Sequence, residues 1–265
     1  MPVSDAYRTR LRDEWCVTSA LQRRLLRSAA FPQPRTPRAD VPEADVPGAD
    51  LSGPDALRMS AVPLVPEVRL LLAVDPMLLW ARLEAEDRVT TLPAPFWASA
   101  WTGGQALARY VLDHPHLVAG RRVLDIASGS GLVAIAAALA GAAAVTANDI
   151  DRYAIAAIAA NAAANGVHVD CDPTDLTAGD GGPAEVVLVG DALYNADIAE
   201  AVLPFAGRAA ARGATVLIGD PGRGHAPSGR LRTLMTYHLP TMGAAEDAQN
   251  ERASVLTPSA PVDGY

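Results

Sequence analysis

Lysine is missing from the 265 residues: all 22 basic side chains are arginine, set against 30 acidic ones. An Arg-only, Ala-rich composition is the ordinary mark of a GC-rich coding sequence. The formal net charge of −8 argues against nucleic acid as the main partner, because phosphate binding normally shows as a basic surface. It is compatible with a basic protein or a small molecule. Cysteine is scarce. Cys16 and Cys171 stand far apart without metal-like spacing, which speaks against a disulfide framework or a zinc site and fits a reducing, cytoplasmic setting. The five histidines form no ligand pattern; His114 and His116, either side of a proline, read as surface, and no metal is expected. No apolar run is long enough to span a membrane, and the Ala-rich stretches, broken by charge and glycine, read as core helices. No secretory leader is visible. The first 38 residues carry eight arginines, but Asp5, Asp13 and Glu14 fit a transit peptide poorly.

The chain divides near residue 60. Residues 4–30 hold an amphipathic pattern around Leu21, Leu25 and Leu26. Residues 31–51 are rich in proline, arginine and aspartate, with a degenerate five-residue repeat that cannot bury a core. A disordered extension over 1–60 and one folded domain over 61–265 are expected. Val62–Glu67 reads as extended, 70–86 as a helix interrupted near Pro76, and 104–113 as a helix. Strands are then expected at 122–126, 144–147, 167–171, 185–189 and 215–218. Helices alternate with them at 130–140, 152–165 and 198–212, followed by a helix at 231–238 and a final strand at 253–256. Such alternation predicts an α/β fold, a parallel sheet with helices on both faces. Its ligand should lie at the carboxyl ends of the strands, near the topological switch point.

The most informative stretch runs Val123-Leu-Asp125-Ile-Ala127-Ser-Gly129-Ser-Gly131-Leu. It follows a strand and opens a helix. Gly129 and Gly131 allow a tight turn and close ligand approach, and the helix start offers free amides. Two cofactors fit the pattern. Gly129-x-Gly131-x-x-Ala134, with Asp149 beyond it, matches the dinucleotide fingerprint. Asp125 favours the other: its carboxylate would repel a pyrophosphate but attract the ammonium of S-adenosylmethionine (SAM). Asp125-x-Ala127-x-Gly129-x-Gly131 is close to the Asp-x-Gly-x-Gly-x-Gly motif of class I methyltransferases, with Ala127 in place of the first glycine. Asp149, ending the next strand, could accept from ribose hydroxyls, while Asp151 suits a helix cap. Asp175 is either a contact to an adenine amino group or a solvated loop residue.

Asp191 and Tyr194 form an Asp-x-x-Tyr at the end of an apolar strand. Asp191 could orient an amine and hold its charge, and Tyr194 could line a channel; capping and packing are the plain alternatives. Trp97 and Trp101 could face a cation with aromatic rings or simply anchor the core. Gly103-Gly104 invites close backbone approach, and Gln105 could touch a methionine moiety. Asp220 and Arg223 lie in a Gly/Pro turn over the same sheet edge, as acceptor contacts or as an ordinary turn.

Trp101-Thr-Gly-Gly-Gln-Ala-Leu-Ala-Arg-Tyr110, Val123-Leu-Asp-Ile-Ala-Ser-Gly-Ser-Gly131, Asn148-Asp-Ile-Asp151, Gly190-Asp-x-x-Tyr194 and Ile218-Gly-Asp-Pro-Gly-Arg223 occur in this order. Together they resemble the lysine methyltransferases of the electron transfer flavoprotein β subunit and their bacterial relatives, and more distantly ribosomal-protein lysine methyltransferases. The resemblance covers about residues 62–258. It implies a Rossmann-like seven-stranded class I methyltransferase sheet. It also implies SAM held by Asp125, Gly129, Gly131 and Asp149 with Trp101 and Gln105 nearby, and an acceptor lysine at Asp191 and Tyr194. Family members often carry an acid directly after the tyrosine; here it is Asn195. The missing lysines would spare such an enzyme its own activity. Methylation of a small, pyridine-like amine and SAM binding without catalysis are the rival expectations.

Overall fold

The apolar runs come together in a computed structural model of the chain, which describes residues 53, 56–87, 92–227, 229–239 and 252–259. The pattern around Leu21 and the Pro/Asp-rich linker lie outside the described residues. A hairpin of β1 (Leu57–Val62) and β2 (Val65–Ala73) leads into α1 (Pro76–Asp87) and α2 (Thr102–Asp113). Then come β3 (Arg122–Ile126), α3 (Leu132–Leu139), β4 (Ala144–Asn148), α4 (Arg152–Ala164), β5 (Asp170–Asp172) and β6 (Val186–Val189). The chain continues with α5 (Ala196–Ala211), β7 (Thr215–Asp220), β8 (Leu231–His238) and β9 (Arg252–Pro258). Seven strands make one sheet in the order β5-β4-β3-β6-β7-β9-β8. β3 to β7 run parallel, and β9 is antiparallel to both of its neighbours. None of the described helices is long and apolar enough to cross a membrane.

Side-chain alternation sorts the two faces. Leu124, Ile126, Val187, Val189, Val216 and Ile218 pack with Val202, Phe205 and Ala209 of α5. Their neighbours Val123, Val186, Leu188 and Leu217 pack with α2, α3 and Ile158 of α4. With helices on both sides, the strands are apolar along nearly every residue, as a parallel sheet requires.

One expected helix is a strand in its first residues, and another is a strand throughout. Residues 70–73 belong to β2, and the helix starts only at Pro76, where Asp75 accepts hydrogen bonds from the amides of Met77 (2.9 Å) and Leu78 (3.1 Å). A capping carboxylate with proline at the first helical position is a local start signal. The run Leu70-Leu71-Leu72 was ambiguous in period, and pairing with β1 decides it. β1 itself lies on both sides of the boundary expected at 60/61. Residues 231–238 form β8. Its pairing with β9 shifts register between Thr233 and Met235. The half-buried positions therefore fall at Leu231, Leu234 and Tyr237, a spacing that imitates a helix.

The outer edge of β2 is completed by a helix. Asn165 Oδ1 accepts from the Arg69 amide (2.9 Å) and its Nδ2 donates to the Arg69 carbonyl (2.6 Å). One turn earlier, Asn161 Oδ1 accepts from the Leu71 amide (2.8 Å) and its Nδ2 donates to the Ser130 carbonyl (2.8 Å). Two asparagines at i, i+4 thus stand in for a missing neighbouring strand, and Asn161, fully buried, ties that edge to the glycine-rich turn. Within that turn Ala127 has φ +52°, beside Gly129 at +55° and Gly131 at +82°.

Asn161→Ala is expected to cost about 1–3 kcal/mol of stability, since it strands a buried amide and a buried carbonyl. Asn165→Ala, half-buried, should cost less; urea unfolding of both variants measures the difference. Ala127→Gly is expected to stabilise by up to about 1 kcal/mol, by releasing a left-handed alanine. A thermal midpoint no higher than wild type would contradict that strain.

Candidate active site

The chain leaves β3 for β4 and β5 on one side, then returns to lay β6 on the other side of β3. The carboxyl ends of β3 and β6 therefore open onto a crevice. Asp125 in β3, Asp149 after β4, Asp191 after β6 and Asp220 at the end of β7 all gather at this edge.

On the β3 side, Asp125 is fully buried. Its Oδ2 accepts from Ser128 Oγ (2.5 Å) and from the Ala134 amide (3.0 Å), which fastens the strand to α3. Its Oδ1 is buried without a hydrogen-bond partner. Burial pushes the Asp125 carboxyl up to about 7, against the hydrogen bonds from Ser128 and Ala134, and the Asp149 charge adds to the rise. Asp149 accepts from the amides of Gly129 (2.8 Å) and Asp151 (3.0 Å), bridging the glycine turn to the end of β4. Burial also raises Asp149. Asp151 caps α4 through the Tyr153 amide (2.8 Å), as expected, and burial lifts it to about 6. A Cβ on Gly131 would come within 3.3 Å of the Ile158 backbone, so the turn packs directly on α4.

On the β6 side, the carboxylate of Asp191 is held at both oxygens. Oδ2 accepts from the Gly103 amide (2.9 Å), and Oδ1 is paired with the Arg223 guanidinium. Gly103 in turn lies against Gly219: a Cβ there would sit 2.7 Å from the Gly219 carbonyl oxygen, and one on Gly219 only 2.0 Å from that of Gly103. Arg223 also rests over Trp101, 5.7 Å from the ring centroid. Phe96 completes an aromatic row, 5.7 Å from Trp101 and 5.3 Å from Tyr194 between ring centroids. Burial raises the Tyr194 hydroxyl, and the Asp149 charge raises it further. Asp220 is 6 % exposed, with Oδ1 buried and unpartnered; burial raises its carboxyl despite the Gly222 amide and the nearby Arg223 and His225. Asp191 is raised by burial as well, opposed chiefly by Arg223.

Several expected residues are placed elsewhere. Trp97 is 1 % exposed and stacks on Tyr153 (6.2 Å) in the core beneath the turn, so it offers no face to a ligand. Gln105 is buried with both ends engaged: Oε1 accepts from the Leu64 amide (3.2 Å) and Nε2 donates to the Ala100 carbonyl (2.7 Å). It stitches the β1–β2 turn to the entry of α2. Asp175 is exposed and folds back on Thr177, accepting from its amide (3.0 Å) and hydroxyl (2.6 Å). Asn195 caps α5 through the Ile198 amide (2.9 Å), a task an acid performs equally well, so this departure from the family pattern leaves the helix start intact. Sequence reasoning assigns no role to Ser128 or Asn161, and Phe96, in the same stretch as Trp97 and Trp101, is passed over for the stronger aromatic signal of its neighbour.

A family model described as Ribosomal protein L11 methyltransferase (PrmA) matches residues 105–191. The electron transfer flavoprotein beta subunit lysine methyltransferase of Xenopus laevis is 38% identical over 183 residues, 67% of this chain and 73% of the relative. That of Mus musculus is 37% identical over 206 residues, 75% of this chain and 77% of the relative. A solved ribosomal protein L11 methylase from Lactobacillus delbrueckii subsp. bulgaricus is 20% identical, covering 61% of this chain and 81% of its own, with a TM-score of 0.43. Identity of this level across most of both chains shows that the protein belongs to the electron transfer flavoprotein β-subunit lysine methyltransferase family.

Proposed function

We propose that this protein transfers a methyl group from SAM to the side-chain nitrogen of a protein lysine, an electron transfer flavoprotein β subunit being the first substrate to try. The observation that carries the reading is the crevice itself. Each of its sides has a buried carboxylate oxygen without a partner, Asp125 Oδ1 and Asp220 Oδ1, and Trp101, Phe96 and Tyr194 form a row of touching rings at the same sheet edge. SAM is a sulfonium, and the lysine arrives as an ammonium that must give up a proton before its nitrogen lone pair can take the methyl group and release the sulfur as a neutral thioether. Acids with aromatic faces suit both cations in a dry site. A dinucleotide's pyrophosphate would meet the same Asp125 oxygen with repulsion.

The residues present fit the cofactor. The orphan oxygen of Asp125 suits the methionine ammonium, and both oxygens of Asp149 keep a second lone pair for ribose hydroxyls beyond the amides they already hold. When bound, SAM supplies an electrophilic methyl group on a sulfonium sulfur. The protein's part is positioning and the exclusion of water. Phe96, Trp101 and Tyr194 wall the crevice, and Asp191 locks the Gly103 turn to Arg223. Phe96 and Tyr194 are 45 % and 36 % exposed, which suits an acceptor presented on a protein surface better than one sealed in a closed pocket.

Incubation with labelled SAM and a purified electron transfer flavoprotein β subunit is expected to yield methyl-lysine in the substrate. Because this chain has no lysine, none of that methyl-lysine can come from the enzyme. Label confined to small molecules, or no transfer despite measured SAM binding, would refute the proposal. Asp125 makes a second prediction. Its carboxyl is neutral below about 7 when free, and a bound ammonium requires the charged form. SAM affinity should therefore fall by up to about tenfold per pH unit below neutrality and level off above it. Asp125→Asn should bind weakly at every pH, with that dependence lost; calorimetry across pH tests both.

A further inference from the structure

We infer that Asp220, rather than Asp191, receives the cationic side chain of the acceptor, an assignment that rests on the methyl-transfer reading above. The two carboxylates stand at the ends of adjacent parallel strands, β6 and β7, and the Asp220 charge raises the Asp191 carboxyl. Their hydrogen bonding is unequal. Asp191 already has a partner on each oxygen, the Gly103 amide on one and the Arg223 guanidinium on the other, and Arg223 already balances its charge. Its side chain is 3 % exposed, and the Gly103–Gly219 contact leaves the turn that holds it no room to relax. An ammonium at Asp191 would have to share one negative charge with the Arg223 guanidinium, two cations on one carboxylate.

Asp220 is also buried, and although the Gly222 amide and the nearby charges of Arg223 and His225 act on it, its Oδ1 has no hydrogen-bond partner. Of the buried carboxylate oxygens among the described residues, only its Oδ1 and that of Asp125 lack a partner. A buried polar atom without a partner costs free energy and calls for a reason. Asp125 has one in the cofactor; Asp220 stands on the opposite side of the crevice, next to the Asp191–Arg223 pair. That pair, seated over Trp101, shows that this edge already accommodates one alkyl cation beside an aromatic face. A second cation, the acceptor ammonium, completes the charge count of two carboxylates. Asp220 is then a binding and specificity residue. Asp191 is a positioning residue that acts through Gly103 and Arg223.

Asp220→Asn keeps size and shape and removes the charge. Steady-state methylation of the purified electron transfer flavoprotein β subunit is expected to show KM raised about 10- to 100-fold, the worth of a charge-assisted hydrogen bond. SAM affinity by calorimetry and the thermal midpoint should stay at wild-type values. Asp220→Glu should recover part of the loss, and Asp220→Ser serves if the asparagine variant does not fold. Asp191→Asn is expected to lower kcat and the thermal midpoint and to affect KM less. An Asp220→Asn KM within about twofold of wild type would overturn the assignment, and so would an equal rise in Asp191→Asn. Wild-type enzyme that methylates no lysine would instead overturn the methyl-transfer reading, and this assignment with it.

Discussion

The backbone of Gly103, at the start of α2, lies so close to that of Gly219, at the end of β7, that neither position has room for a Cβ. Everything on the β6 side of the crevice follows from this contact. It brings the Gly103 amide onto Asp191, and it sets the Asp220–Arg223 turn beside the same carboxylate. Trp101, just ahead of α2, thereby meets Arg223 and Phe96. Two glycine-containing motifs more than a hundred residues apart are thus the two halves of one joint. A side chain on either would push α2 away from the sheet and open the cluster of acid, guanidinium and aromatic rings together.

The opposite side is built on hydrogen bonds instead of close approach. Asp125 ties β3 to α3, Asp149 ties the glycine turn to β4, and Asn161 ties that turn to β2 and so to the hairpin outside the main sheet. Each carboxylate is both a strut and, in the proposed reaction, a ligand. This is possible because a carboxylate offers about four acceptor positions and the struts use only some of them. Burial raises each of these acids, which is a cost to the ligand-free protein and an advantage once a cation arrives. The site is therefore tuned by dryness as much as by charge.

Much of this could be read from the residues. The parallel strands were legible because both faces are covered, so Val186–Val189 and Val123–Ile126 are apolar throughout. The glycine turn was legible because its residues are local and in order, and the Asp151 cap for the same reason. What misled was period without context. Leu70–Ala73 and Leu231–His238 look helical alone and are strands only because β1 and β9 pair with them. Side chains with two plausible uses were likewise undecidable. Gln105 turned to the Leu64 amide and Trp97 to Tyr153, since these partners come from segments 41 and 56 residues away in sequence.

The sequence by itself determined the α/β class, the position of the glycine-rich turn, the acids at the strand ends and the family pattern. All of these are encoded in short contiguous stretches, where backbone conformation and side-chain period act locally. Only the tertiary structure decided how those acids divide their work. Asp191 is occupied, while Asp125 and Asp220 each keep one oxygen free. That division depends on which distant amide or guanidinium arrives first at each carboxylate. It is set by the packing of α2 against β7 and of α4 against the glycine turn, long-range contacts that no local pattern specifies.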